Sequence, residues 1–315
     1  MTNPSIVVSS LTKRFGSFVA VSNLDLKIEG SKCVGFLGPN GAGKTTTLKV
    51  LADMIFPDVG ECFLNGVSVR RDRKKALGSC GVLIESPEIY PSLTPNEALG
   101  MVADLRGLSA TDRKERTEEV LAEVKMSEWG DKKFGKFSKG MKQRINIAAA
   151  LLHDPEILML DEPATGLDPR GMTEVRDIVR GLKRRHRLVF MSSHILSEVT
   201  DVCDEVALID RGRLLFYDTL ENVTARFSRG QSSIDVNFRR PLSHIELTRS
   251  IPGLPGVEKV EVLDPRRIRV RFSGGLETQE SLLESLVGLH LGLVSFQEST
   301  SALEDIYLSQ IQKGD

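Results

Sequence analysis

Eight consecutive residues constrain this chain more than any others: Gly38-Pro39-Asn40-Gly41-Ala42-Gly43-Lys44-Thr45. They match G-x-x-x-x-G-K-[ST] and lie between an apolar stretch, Lys32 to Leu37, and a helical one, Gly43 to Leu51. Strand, glycine-rich turn and helix in that order form a phosphate-binding loop. The glycines let backbone N–H groups turn toward an anion, and the helix N-terminus adds the positive end of its dipole. Lys44 is expected to reach the β- and γ-phosphates of a nucleotide, and the Thr45 hydroxyl to ligate Mg²⁺. A chain built around this unit is an α/β protein with a largely parallel sheet.

A second segment completes that reading. Ile157-Leu158-Met159-Leu160 is an apolar run ending in Asp161-Glu162. It places two carboxylates at the carboxyl end of a buried strand, where α/β sheets bind their ligands. Asp161 is expected to hold Mg²⁺, directly or through water, and Glu162 to polarise an attacking water as general base.

The rest of the chain sets bounds. At 315 residues two domains are expected, and a formal net charge of −1 gives no electrostatic footprint for nucleic acid. Two basic clusters, Arg70-Arg71-Asp72-Arg73-Lys74-Lys75 and Arg184-Arg185-His186-Arg187, read as solvated element ends. Cys33, Cys62, Cys80 and Cys203 are widely spaced within apolar segments, which suits buried free thiols better than metal or redox chemistry. The longest apolar run, Ile147 to Leu152, falls far short of the ~20 residues that span a bilayer. Met1 to Ser5 carries neither the basic nor the apolar region of a signal peptide. No membrane span and no secretion signal are therefore expected.

Strands are expected at Lys32–Leu37, Gly81–Ile84, Ile157–Leu160, Leu188–Met191 and Val206–Ile209. Helices are expected around Asn96–Arg106, Asp112–Lys125, Lys139–His153, Gly171–Arg184 and Ile195–Val202. The span from Pro87 to Gly140 reads as an almost purely helical insert. The first domain is assigned to residues 1–225, with its helical subdomain at about 87–140, and an accessory domain to 226–315. In that second domain Ile234, Val236 and Phe238 alternate with polar residues, and Ile268, Val270 and Phe272 do the same. A short helix near His244–Ile251, a strand at Val257–Leu263, a helix at Gln279–Val287, a strand at Leu293–Gln297 and a closing helix at Ala302–Ile311 complete the set. The order βαββαβ suggests a ferredoxin-like α+β sandwich. Arg267, Arg269 and Arg271 share one strand face, which reads as solvated or as an anion site.

Further motifs give a family resemblance. Phe137-Ser138-Lys139-Gly140-Met141-Lys142-Gln143 precedes the Asp161 strand, Gly166-Leu167-Asp168 follows it, and Met191-Ser192-Ser193-His194 ends a later strand. Leu11-Thr12-Lys13-Arg14-Phe15-Gly16 precedes the phosphate loop, and Gly81-Val82-Leu83-Ile84-Glu85-Ser86-Pro87 comes after it. Together, from residue 11 to 218, these resemble the ATP-binding-cassette (ABC) ATPases, and most closely the ATPases of bacterial-type multidrug or antibiotic exporters. The resemblance implies a P-loop domain with a mostly parallel sheet, an antiparallel β subdomain and a helical insert. It implies that Phe15 stacks on adenine and that Gly38, Pro39, Asn40, Gly41, Ala42, Gly43, Lys44, Thr45 and Thr46 hold the phosphates. Ser138 and Gly140 stand in the signature motif, Asp168 in the D-loop, and His194 at the switch histidine contacting the γ-phosphate. Lys139 and Met141 depart from the usual Leu-Ser-Gly-Gly-Gln. Glu85 replaces the glutamine that normally approaches Mg²⁺, which puts metal preference or rate in question.

The function implied is ATP hydrolysis with Glu162, His194 and Lys44 as catalytic residues, and Thr45, Asp161 and Glu85 at the metal. Two copies, or one copy and a close paralogue, would pair head to tail around two ATP and drive a separate multi-spanning permease at the cytoplasmic face of a membrane. The alternative is a soluble ABC-type ATPase acting on nucleic acid or the translation machinery. Such proteins usually carry two cassettes or a long coiled-coil insertion, and this chain has neither.

Overall fold

The computed structural model describes residues 3–85, 90–183, 186–223 and 232–298. The chain separates into two compact units, Met1–Leu220 and Glu221–Asp315. The boundary expected at 225/226 and the closing helix at Ala302–Ile311 lie outside the described residues.

The first unit contains two sheets. The larger has six strands: β10 (Arg213–Thr219), β9 (Glu205–Asp210), β3 (Cys33–Leu37), β8 (Leu188–Ser193), β7 (Ile157–Asp161) and β6 (Cys80–Leu83), in that order. From β9 to β6 the strands are parallel, and only β10 is antiparallel. Every residue of β3 and β8 is buried. Continuous apolar runs are what a parallel sheet covered on both faces requires. The expected parallel strands are all present.

The smaller sheet is antiparallel, ordered β2 (Phe18–Glu29), β1 (Ser5–Phe15), β4 (Val59–Leu64) and β5 (Val67–Ser68). Ile6, Val8, Leu11, Leu24, Leu26 and Ile28 turn inward and share one core with Phe36, Leu48 and Phe190 of the parallel layer. Alternation along β1 and β2 is interrupted where Ser10 (φ 46°) and Asn23 (φ 49°) adopt left-handed backbone. The pairing register shifts at the same places, as β-bulges do.

Between β6 and β7 come α3 (Pro95–Arg106), α4 (Ala110–Glu123) and α5 (Lys139–Leu151). Thr94 starts α3 with a capping box: its hydroxyl accepts from Glu97 N (3.3 Å), and Glu97 Oε2 accepts from Thr94 N (2.8 Å). Gly107, at φ 75°, stops it. The insert is less helical than expected. Lys125 (φ 57°) ends α4, and single 3₁₀ turns at Ser127–Trp129 and Phe134–Lys136 replace helix up to Lys139. Buried Phe134 pins that stretch, its ring 5.1 Å from Phe137. Arg187 also corrects a reading. It is 3% exposed, donating to Glu123 Oε2 at 2.9 Å and Asp154 Oδ1 at 2.6 Å, whereas Arg184 and Arg185 lie outside the described residues. All four cysteines are buried and free, and burial pushes the Cys62 and Cys80 thiols up to about 12.

The second unit is one antiparallel sheet ordered β12 (Val257–Asp264), β13 (Arg267–Phe272), β11 (Ser232–Phe238) and β14 (Leu293–Glu298). Helix α8 (Leu276–Gly288) supplies Leu282 and Leu286 to its core. This strand order is that of the ferredoxin-like sandwich. The helix expected near His244–Ile251 is mostly a π-helical turn, Glu246–Ser250. The arginine row is not an open anion site: Arg267 and Arg269 pair with Asp235 at 2.9 and 2.7 Å, and Arg271 with Glu261 at 3.1 Å.

Candidate nucleotide site

The phosphate loop joins the end of β3 to α1 (Lys44–Leu51). Two glycines are obligatory there. A Cβ on Gly38 would stand 2.3 Å from Ile209 O, and Gly43, at φ 106°, would place one 2.5 Å from Ala20 O. Gly212 N donates to Ala42 O at 2.9 Å and ties the loop to the β9–β10 turn. Strands of both sheets therefore hold the loop in shape from outside.

Lys44 is buried, and its Nζ donates to Gly38 O (2.8 Å) and Pro39 O (3.0 Å). Glu162 Oε1 lies 3.5 Å from the same Nζ. Burial lowers the Lys44 pKa, opposed by the Glu162 and Asp161 carboxylates. Glu162 Oε2 accepts from Thr165 Oγ1 (2.9 Å) and meets His194 Nδ1 at 3.0 Å. Both carboxylate oxygens are thus held, one facing the phosphate-loop lysine and the other the histidine after β8. Glu162 itself has left-handed backbone, φ 44°.

A recess of about 230 Å³ is lined by Phe15, Asn40, Gly41, Gly43, Lys44, Thr45, Thr46 and Glu162. Phe18 and Ala20 line it too, and sequence reasoning missed both. Phe18 is the cross-strand partner of Phe15 in the β1–β2 hairpin, so the missing signal was the hairpin register. Asp161 ends β7, where Ser192 Oγ donates to its Oδ1 at 2.5 Å. Thr165 and Ser192 were likewise not singled out.

Other expected site residues are not brought to this recess. Glu85 is 69% exposed, and its carboxylate pairs with Lys49 Nζ at 2.6 Å. Ser138 caps α5, accepting from Met141 N at 3.2 Å. Asp168 accepts from Gly171 N at 3.3 Å in the first turn of α6 (Pro169–Lys183). Those helix starts touch through glycine, since a Cβ on Gly140 would lie 3.3 Å from Gly171 Cα. Ser138, Gly140 and Asp168 thus form a second cluster, separate from the lining of the recess.

The ABC transporter family model matches residues 21–165. YxlF of Bacillus subtilis (strain 168), an uncharacterised ABC transporter ATP-binding protein, is 33% identical over 304 residues, covering 96% of this chain and 98% of YxlF. The bacitracin transport ATP-binding protein BcrA of Bacillus licheniformis is 42% identical over 211 residues, 67% of this chain and 68% of BcrA. A solved ATP-binding subunit of an ABC transporter superposes with a TM-score of 0.62 at 27% identity, over 70% of this chain and 92% of its own. The chain belongs to the ABC transporter family, as an ATP-binding, ATP-hydrolysing subunit.

Proposed function

We propose that this chain is the motor of an exporter, pairing head to tail with a second copy around two ATP and coupling hydrolysis to a separate membrane permease. One observation carries the reading: the recess has the phosphate loop, the aromatic hairpin and Glu162, while Ser138 and Gly140 cluster apart from its lining. A second copy presenting its α5 N-terminus would complete the phosphate shell.

The donors suit Mg²⁺. Thr45 and Asp161 offer hard oxygens, and among the described residues no group of three or more His, Cys, Asp or Glu could hold a metal. Mg²⁺ takes one or two protein oxygens and fills its shell from phosphates and water. When bound, it would neutralise charge on the β- and γ-phosphates. The remaining work falls to the chain. Lys44 exchanges its carbonyl contacts for phosphate oxygens, Phe15 stacks on the base, and the Glu162 carboxylate accepts the proton of the attacking water. His194 holds Glu162 Oε2 and stands beside the γ-phosphate. Loss of that phosphate removes the adhesive between the copies, which gives the permease two mechanical states.

Attachment to the permease is assigned to the helical insert. A groove of about 1020 Å³ is lined by α2 (Arg73–Gly78), the end of α3, one face of α4 and Leu152 to Asp154 after α5. Leu105, 88% exposed, and Met101, 55% exposed, offer apolar surface on the same subdomain. No helix among the described residues is long and apolar enough to cross a membrane, so placement at the cytoplasmic face would come through the permease. The kinship with a bacitracin transport ATP-binding protein supports a transport role. The test is a tagged pull-down of the Glu162→Gln chain with ATP from detergent-solubilised membranes. Recovery of a multi-spanning protein in near-equal amount is expected; recovery of ribosomes or soluble partners alone would overturn the motor reading.

A further inference from the structure

Ser192 touches both acids of the site, and no role has yet been given to it. It is fully buried, and it faces Asp161 across the last rung of the β7–β8 ladder. Its hydroxyl donates to Asp161 Oδ1 at 2.5 Å and accepts from Glu162 N at 2.9 Å. One oxygen therefore fixes a carboxylate and the next peptide together. That peptide leads into the left-handed turn of Glu162, where the strand ladder has ended.

We propose that Ser192 is a positioning residue for hydrolysis: it orients Asp161 toward the metal and holds the backbone turn that aims Glu162 at Lys44 and His194. The proposal rests on the roles given above to Asp161 and Glu162. Its neighbour Ser193 points to the opposite face, as alternate residues in a strand must. The Ser193 hydroxyl donates to Glu198 Oε2 at 2.6 Å and accepts from Ile195 N at 2.9 Å. The segment carrying His194 is thus anchored on one side to β7 and on the other to α7 (Leu196–Val202). A hydroxyl suits position 192, because this fully buried side chain both donates and accepts a hydrogen bond. Without it the Glu162 N–H loses its acceptor, and the Asp161 carboxylate loses the hydrogen bond that orients it.

The test uses the full chain with Ser192→Ala, Ser192→Cys and Ser192→Thr. Cysteine nearly preserves volume but is a weak donor, so it keeps the test informative if alanine destabilises the fold. Alanine and cysteine are expected to lower kcat about tenfold or more while KM for ATP stays within about twofold. Threonine, which keeps the hydroxyl, should remain within about threefold of the parent. A second reading is independent of turnover: the Kd of a fluorescent ATP analogue is unchanged in EDTA and at saturating Mg²⁺, but the Mg²⁺ concentration that brings about its tightening rises severalfold in alanine and cysteine. Parent-like kcat in Ser192→Ala, or equal losses in alanine and threonine, overturns the proposal. Glu162→Gln in the same assay separates the two ideas. If it hydrolyses quickly, the general-base reading fails; if it is slow while Ser192→Ala is fast, only the positioning role fails.

Discussion

At the scale of single residues, the site concentrates unusual conformation and unusual burial on two side chains. Glu162 is a non-glycine residue in the left-handed region, a geometry that costs about 1–3 kcal/mol and persists only where its surroundings impose it. Lys44 is an ammonium with 4% exposure, compensated by two carbonyls and a carboxylate. Removing the proposed base should leave binding intact. Glu162→Gln is expected to lower kcat about 100-fold or more with little change in KM, measured by phosphate release under saturating ATP. Glu85 gives a different expectation. Its ion pair with Lys49 is solvent-exposed, and such pairs contribute about 0–1 kcal/mol. Glu85→Gln should therefore leave both the melting temperature and the Mg²⁺ concentration for half-maximal activity almost unmoved; a shifted Mg²⁺ profile would return Glu85 to the metal's surroundings. Lys44 and Glu162 could be placed in the recess from sequence because residue type and spacing mark them, whereas the pairing of Glu85 with Lys49 left no such mark. Ser192 and Phe18 were not legible, because each acquires its role only from the strand opposite it.

Elements show the same division. The parallel strands and most helices could be read directly, since a fully buried strand and an amphipathic helix leave patterns within their own sequence. Strands β1 and β2 were harder to read. Their inward residues change phase where Ser10 and Asn23 turn left-handed, and a period of two broken mid-strand loses its signal. Helix α5 carries a testable element of its own just past its end. His153 is partly buried, its Nε2 meets Cys80 O at 3.0 Å, and its Nδ1 has no hydrogen-bond partner. Burial first, then the nearby Arg106, lowers its pKa to about 4, with Arg116 adding to the shift and Asp154 opposing it. The folded state thus holds the ring neutral while the unfolded chain protonates near pH 6.5. Stability from this group is present above pH 6.5 and is lost as pH falls toward 4, about 2–3 kcal/mol by pH 4.5. His153→Gln keeps a donor for Cys80 O but cannot titrate. Urea unfolding at pH 7.5 and 4.5 should therefore show a smaller acid-induced loss in the variant than in the parent.

For the whole molecule, the question is whether one chain holds a complete catalytic site. The phosphate loop, Glu162 and His194 converge within the first unit, while Ser138 heads a helix whose start does not line the same recess. Ser138 is exposed, and the hydrogen bond described for its side chain is the cap to Met141 N. A helix that begins with Lys139, with no acid in its first turn, ends in a positive field that attracts a phosphate group. If the phosphate belongs to ATP on another copy, a bulky cation at 138 should block pairing without touching nucleotide binding. Ser138→Arg in the Glu162→Gln background is accordingly expected to bind ATP with the parent Kd yet sediment as a monomer, where Glu162→Gln alone sediments as a dimer with ATP and Mg²⁺. A tagged Ser138→Arg chain mixed with an untagged Lys44→Ala chain, both in that background, sharpens the test. One of the two composite sites in such a pair joins an intact phosphate loop to an intact Ser138, and the other joins neither. ATP-dependent capture of the untagged chain by the tagged one is therefore expected, although neither variant dimerises alone. If Ser138→Arg pairs as well as its parent, α5 lies outside the interface, and the recess within one chain must suffice for catalysis.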